Sequence, residues 1–102
     1  MRILFIGDIV GRPGRDCTKK ILGDLKKELE IDVVIANGEN AAGGAGITEK
    51  VCHELKVAGI DVITGGNHTW DQRDIYNFID NESSLLRPAN YPEVDTPGKG
   101  FV

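Results

Sequence analysis

Residues 3–11 read ILFIGDIVG: four apolar residues, then a glycine, an acidic residue, two more apolar residues and a closing glycine. Apolar runs recur at 33–36 and 62–63, bounded by glycine or aspartate. Runs of this kind are typical of parallel strands that are buried in a sheet. The sequence therefore predicts three parallel strands.

Helical patterns separate and follow these strands. One apolar stripe runs from 16 to 30 and another from 48 to 58, with Thr48 as N-cap and Gly59 as C-cap. A shorter helix is predicted over 71–80. Alternating strands and helices are the signature of right-handed βαβ units, so the predicted fold class is α/β, with layered βαβ units on a parallel sheet. The apolar residues assigned to the three helices are Cys17, Ile21, Leu22, Leu25 and Leu29; Val51, Cys52, Leu55 and Ala58; and Ile75, Phe78 and Ile79.

The length and the charge restrict the function. A chain of 102 residues forms at most one domain. Its net charge of -4 provides no broad basic surface for DNA or RNA. The apolar runs are far too short to span a bilayer, and the N-terminus lacks the pattern of a leader peptide, so we expect a cytoplasmic protein without a membrane partner.

The cysteines and the last residues yield two further expectations. Cys17 and Cys52 each share a helical face with apolar neighbours, which favours burial as small hydrophobic residues over a disulfide. A fourth strand is expected to begin at Phe101-Val102. An unpaired sheet edge there would allow two copies to associate as a homo-oligomer.

Three polar motifs follow the three predicted strands: GDIVG at 7–11, NGEN at 37–40 and GNHTWD at 66–71. The carboxyl ends of parallel strands meet at one edge of a sheet, where ligands bind. The motifs carry oxygen donors that suit a divalent cation, namely Asp8, Glu39, Asn40 and Asn67. For any single residue a helix cap or a left-handed turn is the alternative, but the shared edge favours a metal site.

Other residues near these motifs have functional and structural interpretations. His68 can ligate a metal or donate a proton, whereas His53 is predicted to face solvent. Asp71 is favoured as a helix N-cap, and orientation of His68 is the alternative. Arg12 and Arg15 lie in a glycine-rich turn before a helix and are candidates for holding a phosphate, although solvated arginines are the favoured interpretation.

The motifs at 7–11, 37–44, 66–71 and 87–92 together resemble the YmdB-like branch of the calcineurin-type metallophosphoesterases. The resemblance extends over essentially the whole chain. Most members of the wider superfamily have a metal-binding histidine where this chain has Val10, and an aspartate where it has Glu39. Both differences are features of the YmdB-like branch.

This resemblance implies a centre of two divalent metal ions, iron or manganese, that hydrolyses phosphodiesters such as 2',3'-cyclic nucleotides. By position, Asp8 would bind one metal, Glu39 would bridge both, Asn40 would assist at the first and Asn67 would bind the second. His68 would protonate the leaving alkoxide. The implied partner is a small phosphodiester or nucleotide.

Family members are longer, and their second half contributes the remaining histidine ligands. The resemblance therefore implies that residues 1–102 are a single, incomplete metallophosphoesterase-like domain, which alone binds metal weakly and turns over slowly or not at all. The alternative from another class is a non-catalytic nucleotide-binding or regulatory module on the same scaffold.

Overall fold

The computed structural model describes all residues, 1–102. Its strands form one parallel sheet in the order β1-β2-β3-β4, with helices in the connections. This confirms the predicted α/β class. The elements in chain order are β1 (Ile3–Ile6), α1 (Gly11–Glu28), β2 (Val33–Asn37), α2 (Glu49–Ala58), β3 (Val62–Thr64), two 3-10 turns (Arg73–Asn77 and Ile79–Asn81) and β4 (Leu85–Leu86).

The two faces of the sheet differ in burial. One face contributes to a core with both helices and the 3-10 turns, and its central strand residues Val34, Ala36 and Ile63 are fully buried. Side chains alternate between the faces of a strand, so Ile3 and Phe5 lie on the opposite face, where they are 57% and 59% exposed. The helices therefore cover one face only.

Helix α1 differs from its predicted start and from its predicted buried face. It begins at Gly11 rather than Asp16. Pro13 is compatible with this start, because N–H groups in the first helical turn have no intrahelical partner. The buried residues beyond the first turn are Thr18 and Leu22. Thr18 can be buried because its hydroxyl donates to the Gly14 carbonyl at 2.8 Å.

Helix α1 is rotated so that Thr18 and Leu22 face the core, which leaves part of its apolar stripe outside. Cys17 is exposed, so the prediction that it is buried was wrong. Ile21 is half-exposed for the same reason. Cys52 on α2 is buried as predicted, and burial raises the pKa of its thiol to about 12.

Helix α2 has both predicted caps. Thr48 accepts a hydrogen bond from the Val51 N–H at 3.2 Å, and Gly59 ends the helix at a left-handed φ of 116°. Val51 and Leu55 are buried and His53 is exposed, as the sequence predicted.

The predicted helix over 71–80 is replaced by the two 3-10 turns, so that prediction was wrong in type, although Ile75, Phe78 and Ile79 are buried as expected. The N-cap of the first turn is Gln72, with no side-chain cap, so Asp71 does not cap it. A hydrogen bond of 2.8 Å from the Glu49 N–H to Asp74 ties this segment to the start of α2. Such tertiary contacts outweigh the local helical spacing.

The fourth strand lies at Leu85–Leu86, parallel to β3, and not at Phe101-Val102. A strand of two residues shows no periodicity in the sequence. Its outer edge is partly covered by a bridge from Leu86 to Lys99. The opposite edge of the sheet, formed by β1, is unpaired. Neither α-helix combines the length and the apolar composition needed to span a bilayer.

Candidate functional site

Asp8 and Asn40 meet at the carboxyl edge of the sheet. Asp8 follows β1, and the Ile9 N–H after it donates to the Asn37 carbonyl at 3.1 Å, which holds this turn against the end of β2. The amide nitrogen of Asn40 donates to both Asp8 oxygens, at 3.0 and 3.1 Å. The structure thus brings together two of the residues expected to bind metal.

Asn40 also contacts His68. Its side-chain oxygen lies 2.5 Å from His68 Nδ1. Because a carboxylate only accepts hydrogen bonds, the Asn40 amide must turn its NH₂ toward Asp8 and its oxygen toward the imidazole. This network assigns the proton of His68 to Nδ1 and leaves Nε2 free of protein partners.

Glu39 also contacts His68. Its Oε2 accepts the backbone N–H of His68 at 3.0 Å and lies 3.9 Å from His68 Nδ1. Asn37 Nδ2 lies 3.4 Å from Glu39 Oε1 and also donates to the Gly65 carbonyl at 3.3 Å. A Cβ on Gly66 would overlap the Glu39 carboxylate, so only glycine leaves room for Glu39 in this position.

The turn that presents His68 is closed by Thr69, which is completely buried. Its hydroxyl accepts from the Gly66 N–H at 2.8 Å and donates to the Gly66 carbonyl at 2.6 Å. Sequence reasoning assigned no role to Thr69 or to Asn37. Their position inside the motifs, beside His68 and Glu39, was the only available signal.

Asn67 lies in this turn, but its side chain is exposed and makes no hydrogen bond with the Asp8, Asn40 and His68 network. The structure thus connects four of the five predicted site residues and leaves Asn67 at the rim.

The two arginines have different environments. Arg12 is 83% exposed and its Nε lies 3.7 Å from Asp16. The Arg15 guanidinium is mostly buried, and its Nη1 donates to the Ala41 carbonyl at 2.7 Å. Arg15 therefore serves the protein framework, and only Arg12 is free to meet a phosphate from solvent.

The oxygen donors at this site are of the types that bind divalent cations. Carboxylate oxygens of Asp8 and Glu39 and the amide oxygen of Asn40 are the ligand types that manganese and magnesium prefer. No three His, Cys, Asp or Glu side chains lie together as a group that could hold a metal. The chain thus offers suitable ligands but not a complete set.

The chain is similar to known proteins over its whole length. The sequence model of the family described as YmdB-like protein matches residues 4–102. The chain is 57% identical over 102 residues to the 2',3'-cyclic-nucleotide 2'-phosphodiesterase of Bacillus subtilis (strain 168), an alignment that spans 100% of this chain and 38% of that relative.

Two crystal structures are similar to the whole fold described above. A hypothetical protein from Thermus thermophilus matches with a TM-score of 0.88 and 43% identity, over 97% of this chain and 38% of that one. A phosphatase from Mycoplasma pneumoniae matches with a TM-score of 0.88 and 37% identity, over 95% of this chain and 36% of that one. The chain spans well under half the length of each of these relatives.

Proposed function

Because this chain belongs to the YmdB-like protein family, we propose that it carries the N-terminal part of a metal-dependent phosphodiesterase site. Relatives named as a phosphodiesterase and a phosphatase support a hydrolase in general. The observation that carries the proposal is the hydrogen-bonded series Asp8, Asn40 and His68, with Glu39 bound to the His68 backbone.

The substrate class follows from the name of the Bacillus subtilis relative, which acts on 2',3'-cyclic nucleotides by that name. At 57% identity we propose the same class of small phosphodiester for the longer protein to which these residues would belong. A cytoplasmic location is part of this proposal.

In this proposal Asp8, Glu39 and Asn40, with Asn67 at the rim, would hold two divalent ions, iron or manganese. Such ions lower the pKa of bound water and neutralise the phosphate when they are present. Asp8 and Glu39 provide the negative charge that attracts the cations, and the amide of Asn40 sets how far Asp8 can move.

His68 is the proton donor in this scheme. Protonated His68 donates its Nδ1–H to the side-chain oxygen of Asn40, and this hydrogen bond orients the ring. The Nε2–H then has no partner in the protein network. Nε2 is therefore the atom that would give its proton to the leaving alkoxide. Thr69 holds the turn that places His68 beside Glu39.

The proposal is tested by manganese binding and by hydrolysis of bis-p-nitrophenyl phosphate. Asp8→Ala removes a charged ligand, and we expect its affinity for Mn²⁺ to fall about tenfold or more. If the parent chain hydrolyses this substrate, His68→Ala should lose that activity. His53→Ala is the matched control, because His53 is exposed on α2.

Equal Mn²⁺ binding by the parent chain and Asp8→Ala would contradict the proposal. Tight binding of two ions by the parent chain would contradict the expectation of weak binding that the incomplete ligand set supports. That same incompleteness favours one alternative, a non-catalytic nucleotide-binding or regulatory module. Nucleotide binding that does not depend on metal would support it.

A further inference from the structure

Arg15 makes a contact that binding a phosphate would not require. Its guanidinium side chain is 15% exposed, and Nη1 donates to the carbonyl of Ala41 at 2.7 Å. Ala41 is completely buried, and no backbone N–H donates to its carbonyl. Without Arg15 this buried oxygen would lose its hydrogen-bond partner, which is costly inside a protein.

Arg15 is held in turn by α2. Glu54 Oε2 lies 3.2 Å from Arg15 Nε, while Lys19 Nζ lies 2.5 Å from Glu54 Oε1. The hydrogen bond from Lys19, together with the charge of Arg15, lowers the pKa of Glu54 despite the opposing effect of burial. Glu54 thus stays ionised near neutral pH and keeps the guanidinium in one orientation.

The contact lies next to the site in the chain. Ala41 follows Asn40, whose own carbonyl accepts the Gly11 N–H at 2.9 Å. Two consecutive carbonyls are therefore held from the first turns of α1, one by Gly11 and one by Arg15. The first of these carbonyls belongs to Asn40, the residue that joins Asp8 to His68.

We infer that Arg15 is a positioning residue for Asn40: through the Ala41 carbonyl it sets the peptide from which the Asn40 amide reaches Asp8 and His68. Its relevance to hydrolysis rests on the proposed function. The positioning of Asn40 by Arg15 concerns this chain alone. It gives Arg15 a role in holding the site in place and not in binding phosphate.

NMR of the metal-free chain tests this inference. In Arg15→Ala we expect the side-chain NH₂ signals of Asn40 to shift, and hydrogen exchange at the Gly11 amide to become about tenfold faster. The Gly11 N–H donates to the Asn40 carbonyl, and the next carbonyl, that of Ala41, has lost its donor in this variant. The amide of Val34, a completely buried residue of β2, should change less. A general loss of stability would instead accelerate exchange at all of these amides equally.

Arg15→Lys keeps the charge but loses the forked geometry, so the same signals should change in the same direction by a smaller amount. It carries the test if Arg15→Ala does not fold. Lys20→Ala is the control, since Lys20 lies on the same helix, is exposed and forms no ion pair. Asn40 and Gly11 signals that stay unchanged in both Arg15 variants would overturn the inference, as would a uniform acceleration of exchange.

A manganese titration separates this inference from the proposed function. If the parent chain binds Mn²⁺, Arg15→Ala should weaken binding about tenfold while Lys20→Ala does not. If the parent chain binds no Mn²⁺, the metal site fails, but the Asn40 and Gly11 signals still decide the role of Arg15.

Discussion

At the scale of single residues, the site depends on one amide group with two different ends. The Asn40 NH₂ faces the Asp8 carboxylate and its oxygen faces His68 Nδ1. An aspartate at this position would set two carboxylates against each other and would accept where Asn40 donates. The amide therefore does what a carboxylate of the same shape cannot.

Gly66→Ala tests the position of Glu39. The added Cβ would overlap the Glu39 carboxylate, which lies at the end of a flexible side chain, so the fold should survive while Glu39 turns away. We expect the affinity for Mn²⁺ to fall about tenfold or more. Manganese titration and thermal unfolding followed by circular dichroism measure both effects.

The matched control for this change is Gly23→Ala on α1, where an added Cβ meets nothing within 4 Å. It should bind Mn²⁺ as the parent chain does and gain slightly in stability. If Gly66→Ala binds Mn²⁺ as tightly as Gly23→Ala, Glu39 has no role in holding metal.

At the scale of elements, ion pairs connect segments that are distant in sequence. Glu54 of α2 pairs with Lys19 and Arg15 of α1, and Lys56 of α2 pairs with Glu82 after the second 3-10 turn, at 2.9 Å. Glu82 is also bound by the Ser84 hydroxyl at 2.8 Å. These contacts join α2 to both of its neighbours on the covered face.

The ion pairs of Glu54 and Glu82 predict that the protein loses stability in acid. The pKa of Glu54 is lowered, chiefly by the hydrogen bond from Lys19. For Glu82 burial acts to raise the pKa, but the hydrogen bonds from Lys56 and Ser84 outweigh it, so the pKa is lowered as well. A carboxyl whose folded pKa lies below its unfolded value of about 4.3 stabilises fully above that value. The free energy of unfolding should therefore fall as the pH drops below about 4.3 and through the folded pKa values.

Urea unfolding at a series of pH values measures this effect. Glu82→Gln should lose about 0.5–1 kcal/mol at pH 7, as expected for a partly exposed pair, and should show a shallower decline in acid. Glu28→Gln is the control, since Glu28 is exposed near the end of α1 and forms no ion pair. Identical acid slopes for the parent chain and Glu82→Gln would show that this pair contributes nothing.

At the scale of the whole molecule, the two faces of the sheet are unequal. Both helices pack on one face, while the other shows Ile3 and Phe5 to solvent beside the half-buried Val33 and Ile35 of β2. Parallel sheets are usually covered on both faces. The outer edge of β1 is also unpaired, and unpaired edges favour association.

Self-association therefore stays a prediction, now with a defined surface around Phe5. Sedimentation velocity over a range of concentrations should show a dimer that forms as concentration rises, and Phe5→Lys should abolish it because it places a charge on the apolar face. Val57→Lys is the control, because Val57 is exposed on α2, away from this face. Monomer at every concentration would remove the prediction, and so would an equal effect of both substitutions.

Several features followed from the sequence alone. The apolar runs indicated β1, β2 and β3, the caps of α2 were readable as Thr48 and Gly59, and the motifs after the strands placed Asp8, Glu39, Asn40 and His68 at one edge. These features are local, or they follow from the rule that parallel strands end at the same edge. Their metal-binding and catalytic roles remain proposals.

Other features required the folded chain. The rotation of α1 that exposes Cys17, the 3-10 turns in place of a helix and the position of β4 were not predictable from the periodicity of the sequence. Nor was the contact of Arg15 with Ala41, 26 residues away. Periodicity records only the preferences of neighbouring residues, whereas helix rotation, short strand pairing and the partner of a buried arginine are decided by contacts between residues far apart in the chain.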